Sequence, residues 1–154
     1  MQSHKLELFA DYFQFYLQDE TAEGDLSDAW DDPAVERMLA VAPGVVGLGT
    51  ARNMDVSVTL ELLDSEPANG IDEFDHVVEG TLAIETGPLV VAGCTDYFPD
   101  AARFDLEPGA YRVRLSCSGL NTLSEDGLEG EDRYLVQLWL APAIEPEVLR
   151  QHLS

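Results

Sequence analysis

Lysine is nearly missing from this chain. Lys5 is the single lysine among 154 residues, and eight basic residues face thirty acidic ones, a formal net charge of −22. No Lys or Arg lies between Arg52 and Arg103, a stretch that carries eleven carboxylates. A field of this sign repels phosphates and anionic membranes, which argues against direct binding to nucleic acid. It draws in a basic protein, a metal ion or a cationic ligand, or it serves only solubility or adaptation to salt.

Other scarcities narrow the choice. The two cysteines, Cys94 and Cys117, form no C-x-x-C pair. They read as small buried apolar side chains in a reducing compartment, with a disulfide as the second option. Three histidines (His4, His76 and His152) are scattered outside any H-x-H or H-E-x-x-H group. His76, within "FDHVVEG", therefore reads as a surface or capping residue rather than a metal ligand. No G-x-S-x-G occurs, and "GVVGLG" (44–49) lacks the P-loop lysine and the spacing of a dinucleotide fingerprint. Its glycines fit tight sheet packing or a bulge. No apolar run reaches membrane-spanning length, and "MQSHKLELFADYF" alternates and carries charge where a secretory signal would be apolar. The expected setting is the cytoplasm, and no cofactor is expected.

What is present is a period of two. Apolar residues make up 45% of the chain and aromatics are spread along it, as in a folded domain that here spans residues 1–154. In "DVSVTLELL" (55–63), Val56, Val58, Leu60 and Leu62 alternate with Ser57, Thr59 and Glu61. In "YRVRLSC" (111–117), Tyr111, Val113, Leu115 and Cys117 point inward and Arg112, Arg114 and Ser116 outward. In "RYLVQLWLA" (133–141), Tyr134, Val136, Leu138 and Leu140 share a face, and Leu135 and Trp139 opposite suggest a strand covered on both sides.

Weaker strands fall at 5–18, 45–50, 76–84, 88–93 and 102–107. "ETGP" (85–88) and "EPGA" (107–110) are expected to turn hairpins between neighbouring runs. Eight or so short strands joined by Gly/Pro turns predict an all-β, antiparallel sandwich, jelly-roll-like. One helix is expected near 33–42, capped by Asp32, opened by Pro33 and stopped at Pro43-Gly44. Val35, Met38, Leu39 and Ala42 would form its apolar stripe. "PEVLRQHL" (146–153) reads as a last short helix.

Two acidic clusters hold the candidate chemistry. An EF-hand reading from Asp19 places Asp19, Thr21, Glu23 and Gly24 correctly but meets Trp30 where the bidentate Glu belongs. The "EDGLEGED" loop fits no better. A glycosidase-like carboxylate pair needs one acid raised by burial, and the sequence singles out no pair. As a contact surface, the first cluster is Asp25, Asp28, Asp31 and Asp32, although Asp31 and Asp32 also suit a helix N-terminus. The second is Glu125, Asp126, Glu129, Glu131 and Asp132, in a connection longer than a hairpin needs. Carboxylates so spaced can stand where phosphates would in a basic groove. A solvated turn is the bland alternative.

"WDDPAVE" (30–36), "APG" (42–44), "ARN" (51–53) and the strand that follows resemble the competence protein J family. So does "RFDLEPGAYRV" (103–113), in which Phe104, Asp105, Leu106, Gly109 and Tyr111 match an F-D-L-x-x-G-x-Y pattern. The resemblance is intermittent and covers about residues 30–113. It implies a shared fold and a non-enzymatic protein that binds and blocks a nuclease. The other readings are a ligand- or calcium-binding β-sandwich and a structural protein whose acidity keeps it soluble.

Overall fold

The computed structural model describes residues 2–22, 25–68, 70–93 and 95–152. Cys94, read above as a buried thiol, and Glu23 and Gly24 of the calcium test lie outside the described residues. Eleven described strands build two facing sheets. The first contains β1 (Gln2–Phe9), β5 (Asp55–Leu62), β10 (Arg133–Leu140), β9 (Gly109–Ser118), β6 (His76–Ile84) and β11 (Glu147–Arg150), in that spatial order. The second contains β3 (Leu39–Ala42), β4 (Val45–Gly49), β2 (Gln14–Asp19), β7 (Leu89–Gly93) and β8 (Ala102–Phe104). The alternating faces read from β5, β9 and β10 meet Phe15, Leu17, Val46, Leu48, Leu89 and Val91 of the second sheet in one core. This is the expected β-sandwich with one short helix. It is rich in antiparallel pairs, with one parallel pair between β5 and β10. β10 runs antiparallel to β9 on one edge and parallel to β5 on the other.

Several local expectations are corrected. The helix, α1 (Asp32–Arg37), is shorter than 33–42, and its N-cap is Asp31, whose carboxylate accepts the Ala34 N–H at 3.0 Å. It ends at Met38, in the left-handed region at φ 65°. Leu39–Ala42 then runs as β3, because Leu39 is worth more in the inter-sheet core than on a helix stripe. Pro43-Gly44 is therefore the tight turn of the β3–β4 hairpin, with Gly44 at φ +73°, where a side chain would be strained.

"ETGP" and "EPGA" do not make hairpins. Each carries the chain from one sheet to the other, β6 to β7 and β8 to β9. Asp19, at the end of β2, secures the first crossing: its buried carboxylate accepts N–H groups of Glu85 (2.8 Å) and Gly87 (2.9 Å) and the Thr86 hydroxyl at 3.2 Å. Tyr111 secures the second by donating its hydroxyl to the Glu107 carbonyl at 2.7 Å.

The tail is a strand, not a helix. Residues 141–146 cross the outer face of the first sheet, where Ile144 and Thr81 exchange hydrogen bonds, before β11 pairs with β6. That crossing passes over β9, where the Pro142 carbonyl accepts Arg112, and Trp139 of β10 is buried on the same face beside Arg114. Arg114 in turn donates to Glu79 at 2.7 Å. His76 is fully buried rather than at the surface. Its Nε2–H donates to the Arg37 carbonyl (2.7 Å) and its Nδ1 accepts the His152 N–H (3.1 Å), so the ring joins the end of α1 to the tail. Burial holds its pKa below the usual histidine value.

Candidate functional site

The first acidic cluster belongs to a loop that lies on the outer face of the second sheet. Leu26 and Trp30 pack over Gly47, where a Cβ would come within 2.8 Å of both side chains. The glycine-rich stretch thus serves the close packing expected of it. Leu26, Ala34, Ala40 and Val45 form a small second core beneath the loop. Above it Asp25, Asp28, Asp31 and Asp32 are exposed. Asp25 accepts the Ser27 N–H at 2.9 Å, a bond that favours its charged form and lowers its pKa. Asp31 is occupied in part as the helix cap, while Asp28 and Asp32 face solvent.

The second cluster is an ordered turn between β9 and β10. The Asp126 carboxylate accepts the Ser124 hydroxyl (2.6 Å) and the Leu128 N–H (3.0 Å), and the hydroxyl bond foremost lowers its pKa. The Ser124 N–H reaches the Glu129 carbonyl at 2.8 Å, and Thr122 Oγ1 accepts the Glu131 N–H at 2.7 Å. Glu125, Asp126, Glu129 and Glu131 are exposed.

Asp132 is not part of that surface. Its side chain is fully buried, accepting Arg52 Nε at 2.5 Å and the Tyr134 hydroxyl at 2.7 Å. The Tyr134 oxygen accepts the Ala51 N–H at 2.7 Å, and Arg52 also donates to the Leu128 carbonyl at 3.3 Å. This network ties the acidic turn to the segment after β4. Desolvation, with the bond to Asp132, pushes the Tyr134 pKa up, so the hydroxyl stays protonated and donates. The sequence therefore found the acidic turn but missed Arg52 and Tyr134, which hold it.

A second feature went unread. Between β1 and β2 the chain makes a tight turn, Asp11–Phe13, with Tyr12 and Phe13 at φ 59° and 61°. Two consecutive left-handed non-glycine residues are uncommon, and the turn presents both rings to solvent. With Trp30, Val35 and Met38 they line an apolar depression of about 410 Å³ beside the first acidic cluster. Among the described residues no group of three or more His, Cys, Asp or Glu side chains is placed to hold a metal ion, and no helix is long and apolar enough to cross a membrane.

These features define a class: a two-sheet β-sandwich with two exposed acidic segments and an apolar hollow beside one of them. Neither a family model nor a curated protein matches the chain. Among solved structures it has the fold of ComJ from Bacillus subtilis, the inhibitor of the DNA-degrading activity of NucA, at a TM-score of 0.66. That alignment covers 92% of this chain and 96% of ComJ at 19% identity. A structure described as crocagin biosynthetic gene J aligns with a TM-score of 0.59 and 17% identity, over 92% of this chain and 100% of that one. At such identities the likeness speaks to the fold. It agrees with the competence protein J resemblance read from "WDDPAVE" and "RFDLEPGAYRV", which form the cap of α1 and the β8–β9 crossing.

Proposed function

We propose that the chain is a cytoplasmic, non-enzymatic acidic binding protein that inhibits a nuclease by placing carboxylates where DNA phosphates would lie in a basic groove. The observation that carries the reading is a ComJ-like fold over 92% of a chain whose net charge is −22. Asp25, Asp28, Asp31 and Asp32 supply one contact set, and Glu125, Asp126, Glu129 and Glu131 the other. Asp132 acts by holding its turn on Arg52. Association would be fast and salt-sensitive, since opposite fields steer the encounter.

The test is a low-salt pull-down from the source cells followed by a DNA-degradation assay, with NucA as a second target. Recovery of a nuclease whose activity falls on adding the chain supports the reading. Charge reversal at Glu125, Glu129 and Glu131 should weaken inhibition at least tenfold. A pull-down without a nuclease, or a charge-reversed variant that inhibits unchanged, overturns it.

A further inference from the structure

The apolar hollow does not stand alone. A second depression, of about 370 Å³, shares Gln14 and Trp30 with it and ends at Gln18 and Asp25. Gln14, Tyr16 and Gln18 lie on one face of β2, so the combined trough spans about 13 Å beyond the aromatic end. At the apolar end Tyr12, Phe13 and Val35 are 68%, 53% and 61% exposed. At the waist, Gln14 Oε1 and Trp30 Nε1 are buried with no hydrogen-bond partner in the protein. One is an acceptor and the other a donor, the complement of a peptide group's N–H and C=O. Carboxylates at Asp11, Asp25, Asp28, Asp31, Asp32 and Glu36 flank the lining residues, while the nearby Arg37 is turned to the Leu39 carbonyl.

We infer that this trough docks an extended basic segment of the partner protein. An apolar side chain of the segment seats against Tyr12, Phe13 and Val35. One of its peptide groups bonds Gln14 and Trp30 once their side chains turn these buried atoms toward the trough, and an Arg or Lys about four residues along reaches Asp25. The inference rests on the proposed function in taking the occupant to be the nuclease. A trough apolar at one end and acidic at the other fits such a segment better than a compact ligand, and β2, paired on both edges, can be covered but not extended.

The full chain can be titrated at low salt with acetyl-Phe-Ser-Thr-Ser-Arg-Arg-amide and with the same peptide carrying Ala for Phe. The readout is the indole N–H resonance of Trp30, assigned through Trp30→Phe. The Phe peptide should shift that resonance and bind at least tenfold more tightly than the Ala peptide. The advantage should vanish in a Tyr12→Asn/Val35→Ser variant, which alters exposed side chains and should melt like the parent. Equal binding of the two peptides overturns the inference, as does an advantage that survives in the variant. A peptide-free, concentration-dependent shift of the Trp30 signal would assign the trough to a second copy and overturn it too. If the variant inhibits a recovered nuclease like the parent while the charge-reversed turn does not, the trough fails and the nuclease reading stands. Peptide binding as described with no nuclease recovered removes the nuclease reading alone.

Discussion

Asp132→Ala tests whether this carboxylate holds the acidic turn or belongs to its surface. The change leaves the Arg52 guanidinium, 11% exposed, without its counter-charge and the Tyr134 hydroxyl without its acceptor. Removing one member of a buried ion pair costs about 3–5 kcal/mol, because the remaining charge stays desolvated. In a chain of this size each kcal/mol lowers Tm by about 2–4 °C, so a fall of about 6–20 °C is expected. Urea melts of the parent, Asp132→Ala, Arg52→Met and the double variant complete a cycle. The double variant should be less destabilised than the two single losses combined, with a coupling of about 0.5–3 kcal/mol. Asp132→Ala within about 1 kcal/mol of the parent, or additive losses, would refute the network.

Three further changes probe other joints. His76 titrates below its unfolded value, so its neutral form contributes stability that is fully present above about pH 6.5 and is lost as pH falls from there through the lowered folded value. Melts from pH 7.5 to 5 should show that slope in the parent and a shallower one in His76→Gln. At Asp19, burial alone would raise the pKa, but the N–H groups of Glu85, Thr86 and Gly87 hold it lowered. Its contribution is present above about pH 3.9 and lost as pH falls through the folded value; Asp19→Asn should cost about 1.5–3 kcal/mol by urea melt at pH 7 and lack that acid limb. Cys117 is fully buried, with its pKa raised by desolvation and by the charges of Asp132 and Asp75. In a Cys94→Ser background a thiol reagent should label it only as fast as the chain opens, and rapid native-state labelling would contradict that burial.

The faces of β5, β9 and β10 were legible because alternation over seven or more residues reports which side chains turn inward. Alternation does not report which sheet a strand joins. "ETGP" and "EPGA" therefore looked like hairpins, although each spans the sandwich. The run 33–42 mixed helix and strand signals, and the inter-sheet burial of Leu39 decided between them. Four-residue β11 is too short for its period to be told from a helix turn. For the site, charge marked the acidic turns, but Asp132 was swept in with its neighbours. Carrying the Tyr134, Val136, Leu138 register back by two places puts Asp132 inward. The trough left a fainter trace: buried positions pass from Leu8 and Ala10 to Phe15 and Leu17, a phase slip that marks the turn at Tyr12 and Phe13.

The parallel neighbour of β5 also sets the order in which the molecule can be finished. During synthesis β1 and β5 can pair early, yet the second edge of β5 stays open until β10 emerges, after every strand of the second sheet. Pairings so distant in sequence fold slowly and leave an unpaired apolar edge exposed meanwhile. A nascent chain with so large an excess of negative charge repels its own copies during that interval. The acidity that would engage a partner thus also guards an unfinished sheet against self-association.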